Sequence, residues 1–224
     1  MAAVVFLICV SGLWAGDSAE FVDLGFSADG RTYMFGQYGV RSPSLKPWAE
    51  IFVVDVRSNN FVHNGRISYT QDSPIKAGQD GSGVFYRLLN TNSIANQYGI
   101  NYQNQGLPLY ISRTENPPES GESIDFRDFI AGNTYSAELV SSVNGSGQNT
   151  KSSFIIKLEC RSQNGQVKNY TVGTPQVSRA LVKSYNIKKV IIDARGESLI
   201  FVIEMKRIAE NGYDFRYMVE ALRL

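Results

Sequence analysis

The stretch "VDLGFSADGRTYMFGQYGV", Val22 to Val40, decides how this chain is read. An apolar run reaches Phe26, Asp29-Gly30 makes a tight turn, and a long run of alternating character follows. Near the other end, "VIIDARGESLIFVIEM", Val190 to Met205, repeats that plan. Setting Gly30 against Gly196 matches Leu24 with Val190, Phe26 with Ile192, Ala28 with Ala194 and Phe35 with Phe201. The shared pattern is strand, glycine turn, strand, with glycine where the turn needs positive φ. It predicts two hairpins, one from each end of the chain, packed on each other around an apolar interior that holds Phe26 and Phe201.

Working outward, "AEIFVVDV" is apolar almost throughout, as in a strand buried on both faces. "RSNN" turns the chain into "FVHNGRISY", which completes a four-strand meander. The polar stretch Thr70 to Gly83 reads as a loop. After it, Val84, Phe85, Leu88, Leu89, Ile94 and Ala95 recur at helical spacing, which predicts one helix over about 84–98 with Gly99 as its C-terminal glycine. "GLPLYISR", "IDFRDF", "TYSAELVSS", "SSFIIKLECRS" and "QVKNYTVG" read as further strands, with "TENPPESGES" a loop. The last strands, "ESLIFVIEMKRI" and "DFRYMVEALRL", form a hairpin around "AENGY". The fold class is therefore mainly β with a minor helical part: antiparallel meanders packed as a sandwich or as open sheets, in one domain over residues 20–224.

"FSADGR" followed by "AEIFVVDV" resembles the blade motif of TolB-type propellers over about 35 residues. A closed propeller needs typically 4 to 8 blades, and the middle third lacks the motif, so blade-like hairpins without ring closure are expected. In their order, "VDLGFSADGRTYMFGQYGV", "WAEIFVVDV", a helix ending "NQYGI", "SRALVKSYNIKKV" and "GYDFRYMVEALRL" resemble a family of predicted secreted bacterial proteins, domain of unknown function 2259. The resemblance covers nearly the whole mature chain. It implies a signal peptide and export across the inner membrane, and it implies no activity.

The start of the chain agrees with export. "MAAVVFLICVSGLWA" carries no charged side chain and is too short to span a bilayer comfortably, so residues 1–19 read as a signal peptide cut after Ala15 or Ala19. Cys9 lies in that leader and leaves Cys160 alone in the mature chain, so no internal disulfide forms. An exported protein without disulfides fits a bacterial envelope, periplasmic or secreted, with no integral membrane span after cleavage. A net charge of +1 and a pI of 7.7 supply no phosphate-neutralising stripe and exclude nucleic acid. Lys183, Lys188 and Lys189 read as a solvated strand edge.

Chemistry is sparse. His63 is the only histidine and is expected at a strand end beside an Asn-Gly turn. Cys160 reads as a small buried hydrophobe. Glu50, Asp55, Asp125, Asp128, Glu138 and Asp214 are the acids a two-carboxylate glycosidase would draw on, without an evident pair. Asp72 and Asp80 lack the spacing of a calcium loop. No catalytic, cofactor or metal residue is assigned. Tyr33, Phe35, Tyr38, Trp48, Tyr213, Phe215 and Tyr217 carry binding potential, although core packing accounts for such aromatics as well. The expectation is a non-enzymatic binding or interaction module whose partner is an envelope protein or a glycan; the alternative is a carboxylate-dependent envelope hydrolase acting on glycan.

Overall fold

A computed structural model describes residues 16–113, 121–210 and 212–224. The leader through Ala15 and most of the "TENPPESGES" loop lie outside the described residues. Three antiparallel sheets make up the fold. The first is the meander β1 (Glu20–Phe26), β2 (Thr32–Arg41), β3 (Lys46–Asp55) and β4 (Asn60–Thr70), paired in sequence order. Two short helices follow, α1 (Ser82–Thr91) and α2 (Ile94–Gln97).

The second sheet holds β6 (Glu122–Arg127), β7 (Thr134–Asn144), β8 (Lys151–Arg161), β9 (Val167–Val172) and β10 (Arg179–Ala180). The third has the order β13 (Gly212–Arg223), β12 (Ser198–Ala209), β11 (Val182–Ile192) and β5 (Leu107–Ile111). Pro108 sits on β5, an edge strand, where its missing N–H costs no ladder bond.

The cores set the layer order. Val84, Phe85, Ile94 and Ala95 pack on Met34, Ile51 and Val53, so the helices cover the outer face of the first sheet. Phe85 lies flat on Gly36, where a Cβ would come within 2.3 Å of the ring. The inner face, with Phe26, Tyr33, Phe35 and Phe52, meets Ile191, Ile200 and Val202 of the third sheet. The other face of the third sheet, including Ile187, Val190, Leu199, Phe201 and Ile203, closes against Tyr135, Leu139, Phe154 and Ile156 of the second sheet. Burial on both faces explains the nearly unbroken apolar runs of β3 and of the start of β12.

The two glycine turns have the same geometry. Gly30 N–H donates to the Ser27 carbonyl and Gly196 N–H to the Asp193 carbonyl, both at 3.0 Å. Their φ angles are 68° and 70°. Thr32 N–H donates to Ser27 Oγ and Ser198 N–H to Asp193 Oδ1, so one side-chain acceptor closes each turn. The turns also touch, through Arg195 Nη2 donating to the Ala28 carbonyl at 3.1 Å. The hairpins meet as expected, but Phe26 and Phe201 do not share one cluster. Phe26 faces the first sheet's interior, whereas Phe201 points to the reverse side of the third sheet.

Two local expectations change. The helix breaks at Asn92, whose extended backbone separates α1 from α2. Gly99 does end α2: at φ 61° it lets Ile100 N–H reach the Ala95 carbonyl and Gly99 N–H the Asn96 carbonyl, a Schellman closure. His63 lies within β4 rather than at a strand end. Asn64-Gly65 there forms a bulge opposite Val53, because the ladder jumps from Val54↔Phe61 to Phe52↔Arg66.

Candidate functional site

The first sheet carries a ladder of rings. Phe21 of β1, Phe35 of β2, Phe52 of β3 and Phe61 of β4 stack in turn, with centroids 5.7, 4.8 and 5.7 Å apart. Such cross-strand aromatic pairs add to sheet stability beyond the area they bury. Phe35 is 1% exposed and Phe61 56%, so the ladder passes through the core at Phe35 and ends in water. Where it emerges, a cleft of about 770 Å³ opens between the first sheet, β12–β13 of the third and the segment leading into β10. That size suits a small ligand.

β13 is the edge of the third sheet, and the first sheet caps it with carboxamides. Tyr217 N–H donates to Gln37 Oε1 and Ala221 N–H to Asn59 Oδ1, each at 2.7 Å. Such caps keep an edge strand from pairing with a foreign strand. Each carboxamide passes its own N–H to an acid. Gln37 Nε2 donates to Glu50 Oε2 at 2.9 Å, and Arg66 donates to Glu50 Oε1 at 2.9 Å. Asn59 Nδ2 donates to Glu220 Oε2, and Arg179 to Glu220 Oε1 at 3.4 Å.

A third network binds the segment before β1. Asp17 Oδ2 accepts from Trp48 Nε1 at 2.8 Å and from Arg216 Nη2 at 2.6 Å. The Asp17 N–H donates to Asp214 Oδ1, and the Phe215 N–H donates to the Asp17 carbonyl. Burial raises the carboxyls of Asp17 and Glu220 above their ordinary values, against Arg216 beside the first and against Asn59 and Arg179 beside the second.

Most of the sequence candidates fall outside the cleft. Asp55 closes the β3–β4 turn through Ser58 N–H. Glu138 pairs with Lys157 on an exposed face. Asp128 is buried and accepts from Ile130 and Ala131 N–H, which fixes a hairpin tip that leaves Phe129 and Ile130 in solvent. Asp125 lines a separate hollow of about 570 Å³ on the second sheet. Asp80 caps Ser82 at the start of α1.

Among the described residues, no group of three or more His, Cys, Asp or Glu side chains could hold a metal ion. Cys160 is half-buried rather than sealed, and burial pushes its thiol above 9.0. Lys188 and Lys189 pair with Glu204 and Asp23 rather than forming a solvated strip. Of the aromatics, Tyr33, Phe35 and Trp48 are buried.

Only Glu50 and Asp214 reach the cleft from the list of acids, together with Phe35, Trp48 and Tyr217 from the aromatics. Asp17, Gln37, Phe61, Arg66, Arg179, Arg207 and Arg216 line the cleft without having been expected there. One signal could have found part of this set. A hairpin that pairs Ala209 with Gly212 places Arg207 opposite Asp214 and Met205 opposite Arg216.

The family model described as "Predicted secreted protein (DUF2259)" matches residues 34–223, and the chain belongs to that family. No curated protein and no solved structure matches the chain. No described helix is long and apolar enough to cross a membrane.

Proposed function

We propose that this member of a family described as secreted is a non-enzymatic binding module of the bacterial envelope, and that it takes its ligand in the cleft below Phe61. One observation carries the reading: three of the four acids that line the cleft already hold partners, and the fourth, Glu210, stands exposed at the hairpin end away from any second carboxylate pair. Glu50 lies between Gln37 and Arg66, and Asp17 and Asp214 share Arg216. A general acid or nucleophile must keep a face toward the substrate. The oxygen that Asp17 leaves unpaired, Oδ1, is turned away from the cleft to Gly39, where a Cβ would lie 2.9 Å from it.

A hydrolase is the second reading, favoured by one feature. Asp17 has a raised pKa and sits within one guanidinium of Asp214, with Arg216 Nη2 at 2.6 and 3.8 Å from the two carboxylates. Native mass spectrometry of the protein purified from envelope separates the readings. The binding module retains an additional small mass that Phe61→Asp releases. Glycan turnover abolished by Asp17→Asn, with no retained mass, would reverse the ranking.

Export belongs to the same proposal, and the geometry favours cleavage after Ala15. Cleavage there leaves Asp17 to Ala19 attached, whereas cleavage after Ala19 removes the carboxylate that holds Trp48 and Arg216. An acid three residues before the cut also departs from the small-residue pattern of such sites. The mature protein should begin at Gly16 by N-terminal mass spectrometry. A cytosolic protein retaining Met1 would contradict export.

A further inference from the structure

We propose that the turn between β6 and β7 is a membrane-docking tip: Phe129 and Ile130 enter the interface of a phospholipid bilayer, and Arg127 takes a lipid phosphate. This surface lies apart from the cleft and does not depend on the reading given to it.

Phe129 and Ile130 are 84% and 85% exposed, more than any other large apolar side chain among the described residues. They are neighbours in sequence at the apex of one hairpin, so they form a continuous apolar point. A lone exposed apolar side chain is ordinary, whereas a contiguous one at an apex marks a contact surface.

The apex is held in place from below. Asp128 is buried, and its Oδ1 accepts from the N–H groups of Ile130 and Ala131 at 2.8 and 3.1 Å. Asp128 N–H donates to the Asn133 carbonyl, and Gly132 N–H donates to the Asp128 carbonyl. Gly132, at φ 77°, lies against Gln163 of the neighbouring hairpin turn. All the bonds at 129–131 come from backbone N–H groups. Polar side chains at 129 and 130 would leave them intact, so the fold itself does not call for the two apolar ones.

The base of the tip is basic. Arg127, Thr134 and Arg161 stand level on β6, β7 and β8, so their side chains share one sheet face. Two strand spacings put the two arginines about 10 Å apart. Glu159 holds Arg161. Arg127 makes no ion pair among the described residues, not even with Asp125 two positions back on the same face, and its guanidinium lies 5.5 Å from the centre of the Phe129 ring. At a membrane surface such a pair divides by depth, the ring at the acyl boundary and the guanidinium at the phosphate level. A guanidinium also matches a phosphate bidentately.

Area favours a bilayer over a protein partner. A stable protein interface buries about 800 Å² on each side. One phenylalanine supplies about 150–250 Å², and the adjoining turn offers Ser162, Gln163 and Asn164 in place of an apolar rim. A convex two-residue point therefore falls short of a protein interface. A bilayer yields around it and needs no matching rim.

The test is co-sedimentation of the envelope-purified protein with vesicles of phosphatidylethanolamine and phosphatidylglycerol. Each variant is compared at the same N-terminus, which removes any contribution of the leader. The wild type should partition reversibly onto the vesicles. Phe129→Ser with Ile130→Ser should lower the partition coefficient at least about tenfold, with an unchanged melting temperature. Arg127→Gln should lower it about fivefold. In Phe129→Trp, vesicles with brominated acyl chains should shift the emission to the blue and quench it, while buried Trp48 supplies a constant background. A wild type that stays in the supernatant, a double variant that binds as well as wild type, or an introduced indole that escapes quenching would each overturn the proposal. Unchanged binding of Arg127→Gln would overturn the phosphate contact. A tip-dependent dimer in sedimentation velocity, in place of vesicle binding, would give the surface to a second copy and overturn the membrane assignment.

Discussion

On the face of the third sheet turned toward β6–β10, Phe201, Ile203 and Tyr185 interlock with Phe154 and Ile156 in the larger of the two inter-sheet clusters. On the opposite face, Ile200 and Val202 meet Phe35 and Phe52 in a smaller cluster that stops short of the sheet's end. Past the edge strand β13 the space opens into the cleft, which draws Phe35 and Tyr217 from this side and Met205 and Met218 from the other, with carboxamides, acids and arginines among them. The same two strands, β12 and β13, serve both faces. Packing is complete between the second and third sheets, and it gives way to fixed charges at the β13 edge.

The largest effect that sharpens this comparison lies on the closed face. Phe201→Ala should cost about 3–5 kcal/mol in urea unfolding, because a fully buried ring leaves a cavity. On the open face, Phe61→Ala should cost only about 1 kcal/mol, since that ring is mostly in solvent and loses one stacking contact. Similar losses at both positions would mean that the faces do not differ as described.

Asp17→Ala should cost less than Phe201→Ala, at about 1–3 kcal/mol, although the residue lies beside the cleft. It leaves the Trp48 indole N–H without its acceptor and takes the nearer carboxylate from Arg216, which keeps Asp214 and the carbonyls of residues 17 and 215. A loss below about 1 kcal/mol would place the segment before β1 outside the folding unit.

The matched turns provide a smaller test. Gly30→Ala and Gly196→Ala both force a side chain into the left-handed region, at about 1–2 kcal/mol. Gly30→Ala should cost more, because its Cβ would come 3.1 Å from Asp193 Oδ2, whereas nothing lies near Gly196.

The smallest effect is a slope with pH. Burial raises Glu220 above 4.5, so the folded state holds that proton more tightly than the unfolded chain does. Its contribution to stability is fully present below about 4.5 and is lost as pH rises through the raised folded value. Glu220→Gln should flatten the stability profile over that window in urea titrations. A slope equal to wild type would assign the dependence to other carboxylates, Asp17 first, since burial raises it in the same sense.

The strands were legible because each is bounded by a turn the sequence declares, as at Gly30, Gly196 and the Asn-Gly near residue 164. The helix break at Asn92 was not, since the apolar spacing continues across it into Ile94 and Ala95. The cleft was legible only in fragments. Its defining bonds join Asp17 to Arg216, 199 residues apart, and Gln37 to Tyr217, and neither pair has a local pattern. Asp17 stands between the two candidate cleavage points, Ala15 and Ala19, where nothing local marks it as a residue the fold uses as a joint. Phe61 was passed over because a single phenylalanine in a polar strand looks like an ordinary surface residue. Only the stacked order of Phe21, Phe35, Phe52 and Phe61 gives it meaning.

Amide hydrogen exchange of the envelope-purified protein, before and after its retained ligand is released, tests most directly whether the open face is the ligand site. The bound ligand should slow exchange in residues 48–66 and 205–218, on the two walls of the cleft, and leave β7, β8 and β9 unchanged. Protection confined to the second sheet, or spread evenly over all three, would contradict the assignment.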